Sequence, residues 1–196
     1  IGNAALTANT TANNNTAIGH KSMLGTTTGA TNTAVGFETF LTNTTGTQNV
    51  AIGDRVLRAS TTSNYNTGVG ALALFSNTTA SNNTAVGYQA GYSNTTGTRL
   101  VALGYTAAFN TTTATHNTAI GYQSQRNNTT GGNNTALGDN SLYTNTTGQY
   151  NTGLGSQALF SNTTANNNTA VGYQAGYSNT TGTANNFFGY QAGYNT

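Results

Sequence analysis

Asn83-Thr84-Ala85-Val86-Gly87-Tyr88-Gln89-Ala90-Gly91-Tyr92-Ser93-Asn94-Thr95-Thr96-Gly97-Thr98-Arg99 is one unit of a repeat that fills the chain. Its glycine sets the period. Gly2, Gly19, Gly36, Gly53, Gly70, Gly87, Gly104, Gly121, Gly138, Gly155, Gly172 and Gly189 follow at 17-residue intervals, with no insertion or deletion. The residue before each is always apolar: Ile18, Val35, Ile52, Val69, Val86, Leu103, Ile120, Leu137, Leu154 and Val171 in the ten units between the ends. Four before the Gly stands Asn in most units, with Leu100 as the departure. A Thr-Thr pair lies eight and nine after it, from Thr10-Thr11 to Thr180-Thr181, followed by a small residue. A longer period overlies the first: Leu74 to Thr98 nearly recurs as Leu159 to Thr183, an offset of five units.

Seventeen residues are too few for a helical repeat, which needs about 30 or more for two helices and a turn. Asn, Thr and Gly are also weak helix formers. The unit therefore reads as one rung of a parallel β-coil, with two or three short strands joined by tight turns. The fold class is all-β: a single β-solenoid over residues 1–196, about twelve rungs stacked at roughly 4.8 Å into a rod of roughly 55 Å. The glycines from Gly19 to Gly172 are its turn positions, since Gly accepts a positive φ. Strand side chains alternate. We therefore expect the residues one and three before the Gly to point inward as the core column and the Ala between them to point outward. A second, half-buried apolar column is expected five after the Gly (Leu24, Leu41, Phe75, Tyr92, Phe109, Tyr143, Phe160, Tyr177, Tyr194), interrupted by Arg58 and Arg126. Stacked Asn and Thr favour side-chain ladders, and stability must come from neighbouring rungs.

Composition narrows the function. Only 4% of the 196 residues are charged, against about 25% in an average globular chain. The net charge of +2 is spread over scattered residues, so no basic patch points to nucleic acid. There is no cysteine, hence no disulfide or thiolate metal site. No apolar run reaches the roughly 18 residues of a membrane span. The sequence opens in mid-repeat, which reads as an internal fragment of a longer fibrous protein. Low charge would also suit a disordered polar segment, but the 11 Tyr, 7 Phe and strict register favour order.

No constellation of residues points to catalysis. His20 and His116 are out of register with each other, and Glu38, Asp54 and Asp139 form no usable pair. The glycines precede no helix that would make a phosphate loop. We expect a non-enzymatic protein without cofactor or metal. Sequons at Asn9, Asn43, Asn77, Asn94, Asn145, Asn162 and Asn179 are either glycan acceptors on a surface turn or a by-product of an Asn/Thr-rich repeat. Tyr88, Tyr105, Tyr122, Tyr173 and Tyr190 form an outer column that either stacks on sugars or stacks on itself. Regular Thr columns at low charge resemble an ice-binding face, although adjacent Thr residues on a strand point to opposite sides.

The pentapeptides Asn15-Thr16-Ala17-Ile18-Gly19, Asn49-Val50-Ala51-Ile52-Gly53 and Asn117-Thr118-Ala119-Ile120-Gly121 resemble the head repeats of trimeric autotransporter adhesins, the YadA-like left-handed β-roll. The small residue three after each Gly (Ser22, Ala90, Ser124, Ala175) fits that pattern. Such repeats also occur in phage tail-fibre-like proteins. The resemblance implies a left-handed coil and a homotrimer with the Ala column near the three-fold axis. The unit here is longer than the family's usual one, by the segment S-N-T-T-G-T. The expectation is a structural or adhesive fibre shaft, extracellular or on a cell or virion surface. It would self-associate as a homotrimer or filament and have a cell-surface or carbohydrate receptor as candidate partner. The alternatives are an ice-binding or carbohydrate-binding β-solenoid, or a glycosylated filament subunit.

Overall fold

The computed structural model describes residues 1–196. Each rung contributes one strand of three residues, ending just before the repeat glycine, from β1 (Thr16–Ile18) and β2 (Thr33–Val35) to β11 (Asn186–Phe188). The eleven strands form one parallel sheet in sequence order. The register is constant at one repeat: Thr84 pairs with Val101, Ala85 with Ala102 and Val86 with Leu103. No helix is present.

The expected second and third strands of the rung are absent, and the reason is backbone conformation. The residues two, four and twelve after the Gly sit in the left-handed region in most rungs, as at Leu72 (φ 62°), Leu74 (φ 51°) and Asn82 (φ 63°). Each such residue turns the chain and ends an extended segment. The hydrogen bonding nevertheless continues around these corners. Of 127 backbone hydrogen bonds, 107 lie outside the strands. Leu72 donates down to Asp54 O (2.9 Å), Leu74 up to Ala90 O (3.0 Å), Ser76 up to Tyr92 O (3.0 Å) and Thr78 up to Thr95 O (3.1 Å). The rod is thus held by ladders on every side. A non-Gly residue in the left-handed region costs about 1–2 kcal/mol, and a backbone hydrogen bond returns only about 0.5–1.5 kcal/mol. A single rung therefore has little stability of its own, and the stack supplies it.

The inward face is the reverse of the sequence expectation. The Ala column is fully buried, with Ala34, Ala51, Ala85, Ala102, Ala119, Ala136 and Ala170 at 0% exposure. The flanking column points out: Ile18, Ile52, Val86 and Leu137 are 39–48% exposed, and Val35, Val69, Leu103, Ile120, Leu154 and Val171 are half-buried. Alternation holds along the strand, but its parity is set by what lies opposite. The residues four after the Gly (Met23, Phe40, Leu57, Leu74, Leu142 and Leu159) are all fully buried and fill the narrow lumen, which leaves room for nothing larger than Ala across from them.

Where that filling residue is Gly, another side chain takes its place. A Cβ on Gly91 would lie 3.2 Å from Leu100 and 3.0 Å from Leu74, and one on Gly176 would meet Phe187 and Leu159. This explains why Leu100 departs from the Asn column and why Phe187 stands where other rungs carry Ala. The apolar core is divided in two, at 16 and 6 residues. The division falls at Gln125, a buried amide in the filling column.

Candidate functional surfaces

The repeat glycines all have positive φ. Gly87 has φ 130°, and a Cβ there would collide with the carbonyl of Gly104 in the next rung. The other repeat glycines share its sign of φ. These residues serve the coil.

The sequon asparagines are mostly interior. Asn43, Asn77, Asn94, Asn145 and Asn162 are 0% exposed and Asn179 is 3% exposed; Asn9, in the first rung, is the only one at the surface. Each buried Nδ2 donates to the carbonyl three residues on, as from Asn94 to Gly97 (2.9 Å) and from Asn145 to Gly148 (3.0 Å). The six buried amides are therefore not glycan acceptors in the folded rod. The Asn-Thr-Thr sequence instead reports an inner amide followed by a hydroxyl ladder. The first Thr of each pair donates its hydroxyl to the equivalent carbonyl of the next rung (Thr78 to Thr95, Thr95 to Thr112 and Thr112 to Thr129, each at 3.1 Å). The second Thr is exposed in every rung from Thr11 to Thr181, giving one file rather than a broad face.

The outer tyrosines stack on one another. Ring centroids are 5.4 Å apart for Tyr88–Tyr105 and for Tyr105–Tyr122, and 5.5 Å for Tyr173–Tyr190, with interplanar angles of 11–20°. Offset stacks of this spacing are favourable. They also consume ring faces that a sugar would need: Tyr105 is covered on both faces, and Tyr88, Tyr122, Tyr173 and Tyr190 on one each. The half-buried column stacks in the same way: Phe75–Tyr92–Phe109 at 5.1 and 5.2 Å. Arg58 lies over Phe75 at one end (5.9 Å) and Arg126 over Phe109 at the other (5.2 Å). The two arginines that interrupt this column in the sequence are cation–π caps on its aromatic run.

Charged groups are sparse and locally paired. Arg58 bonds Glu38 (2.9 Å) and Arg55 bonds Asp54 (3.0 Å). The hydrogen bond from Arg55 to Asp54, then the attraction between their charges, holds the guanidinium above its ordinary value. Arg99 donates to Nε2 of His116 (2.7 Å), while His20 stacks on Phe37 at 5.3 Å in a different column. No three His, Asp or Glu side chains come together as a metal site would require.

One surface feature was not singled out by the sequence. A cavity of about 400 Å³, open to solvent, is lined by Thr147, Gln149, Tyr150, Thr164, Asn166 and Asn167. These are positions nine, eleven and twelve after the Gly in two successive rungs. Position twelve is a varied corner of the repeat: Thr31, Gln48, Tyr65, Asn82, Arg99, His116, Asn133, Tyr150, Asn167 and Ala184. A tyrosine with no aromatic residue one period away cannot stack within the rod, and that signal, readable from sequence, marks Tyr65 and Tyr150.

The chain matches no family model, no curated protein and no solved structure.

Proposed function

We propose that this chain is shaft material: a stretch of an extracellular fibre, of adhesin or tail-fibre type, whose role is length and stiffness. The observation that carries the reading is the unbroken register of inter-rung pairing, with a uniform, nearly uncharged outer face on the sheet. That face presents two parallel files from β1 to β10, Thr (Val at Val50 and Val101) three before the Gly and Ile, Val or Leu one before it. A continuous half-exposed apolar file is what self-association needs. The inter-chain contact of the proposed homotrimer accordingly lies on the file of Ile18, Ile52, Val86 and Leu137, and not on the Ala column, which is inside the coil. The left-handed sense of the coil belongs to the same reading, through the family resemblance.

Light scattering coupled to size exclusion tests it. The expected mass is three times 20.0 kDa, independent of concentration. The double variant Ile52→Lys, Leu137→Lys changes only outward side chains, so it should keep its circular dichroism and unfolding midpoint but run as a single chain. A wild-type mass of 20.0 kDa overturns the trimer.

A further inference from the structure

We propose that the corner at Tyr150 is a binding site for a neutral pyranose sugar. The site is the single cavity of the rod, at about 400 Å³, within the roughly 300–1,000 Å³ of small-ligand sites. Tyr150 is 58% exposed and lies between Asn133 and Asn167 in its column, so no ring covers its faces. Each stacked tyrosine of the outer column has at least one face covered by a ring. Around it stand two hydroxyls (Thr147, Thr164) and three amides (Gln149, Asn166, Asn167). Among these side chains only Asn166 Oδ1 is used within the protein, accepting from the Gln149 N–H at 2.7 Å. The others are free to donate and accept. An aromatic face set among uncharged groups of both polarities matches a ligand with a C–H face and a rim of hydroxyls. No charged side chain lines the cavity, which selects against acidic sugars and phosphates.

The rod contains its own control. Tyr65 is the equivalent residue five rungs away, 57% exposed and with nearly the same φ (58° against 57°). Its surroundings differ at one side chain: Asn64 Oδ1 accepts from the N–H (2.8 Å) and hydroxyl (3.0 Å) of Thr47, where the equivalent Gln149 amide is free, while the Asn64 N–H donates to Ser81 Oγ (3.0 Å) as Gln149 does to Asn166. No cavity opens there. The inference is independent of the shaft reading and of the oligomeric state.

The test uses the full chain and three probes: methyl β-D-glucopyranoside, methyl β-D-galactopyranoside and methyl α-D-mannopyranoside. Binding is followed by saturation-transfer NMR, with sorbitol and adenosine as comparison ligands. Tyr150→Asn removes the ring and installs the residue already found at this corner in Asn82, Asn133 and Asn167, so the fold is retained; Tyr65→Asn is its partner variant. The expected result is that at least one pyranoside binds and that Tyr150→Asn weakens it about tenfold or more, the effect of losing one stacked ring. Tyr65→Asn should leave it unchanged. The proposal is overturned if no pyranoside exceeds sorbitol, if both variants weaken binding equally, or if Tyr150→Asn has no effect. It is also overturned if adenosine binds through Tyr150 more tightly than every pyranoside, which would make the corner a stacking site for a flat base.

Discussion

Asn49 joins three rungs. Its Oδ1 accepts from the N–H of Asn66 (2.9 Å), its Nδ2 donates to Ser63 O (2.8 Å) and Thr47 O (3.0 Å), and its own N–H donates to Asn32 Oδ1 (2.9 Å). The residue is 1% exposed, so water cannot replace these partners. Asn49→Ala would leave the Asn66 N–H and the Ser63 carbonyl unpaired, each at about 1–3 kcal/mol. We expect a loss of about 2–4 kcal/mol of unfolding free energy in guanidinium titrations, against a change within about 0.5 kcal/mol for the exposed Asn9→Ala. The sequence shows this column by its period and points to a ladder. It does not show the kind: the amide oxygen mostly accepts from the backbone of the next rung rather than from the next amide. Leu100 makes the difference plain. Its N–H donates to Asn83 Oδ1 (2.9 Å), but it has no amide oxygen to accept from the N–H of Asn117, so the relay stops for one step.

At the level of the strand and its facing corner, alternation in Thr-Ala-Val was legible and its direction was not. Hydrophobicity alone favours Ile or Val inside. The lumen, however, is filled from the position four after the Gly, where a left-handed φ turns the side chain inward (Leu57 φ 50°, Leu142 φ 52°). No strand rule predicts that turn, and the position is inconspicuous because Met, Phe, Leu, Gly, Ala and Gln all occupy it. The neighbouring aromatic column is far more regular and only half-buried. Gln125 shows the demand of this position most clearly. Its Nε2 reaches Thr118 O (3.0 Å) and Asn134 O (3.3 Å), but its Oε1 is buried without a partner. Gln125→Leu, the residue used at Leu142 and Leu159, removes that orphan and rejoins the two halves of the core. Thermal and chemical unfolding should show a gain of about 1–2 kcal/mol. A loss would mean that the two amide donations matter more than apolar continuity.

For the molecule as a whole, the glycine spacing made the solenoid legible, because a fixed 17-residue period has few physical solutions. The binding surfaces were less so, since exposure of a ring face depends on its neighbours one period away. Two ion pairs in 196 residues leave little for salt to screen. The unfolding midpoint in urea should therefore be nearly the same in dilute buffer and in high salt, and a large shift would show that charge has a role the ladders do not explain. The same ladders make every interface between rungs nearly equivalent and confine each to nearest neighbours. A pull on the two ends of a single rod would therefore peel it one rung at a time. Seventeen residues span about 56–61 Å when drawn out, and a stacked rung occupies about 4.8 Å. Each release would lengthen the tether by about 51–56 Å, so the rod yields under tension in equal steps, as a coiled reserve of length.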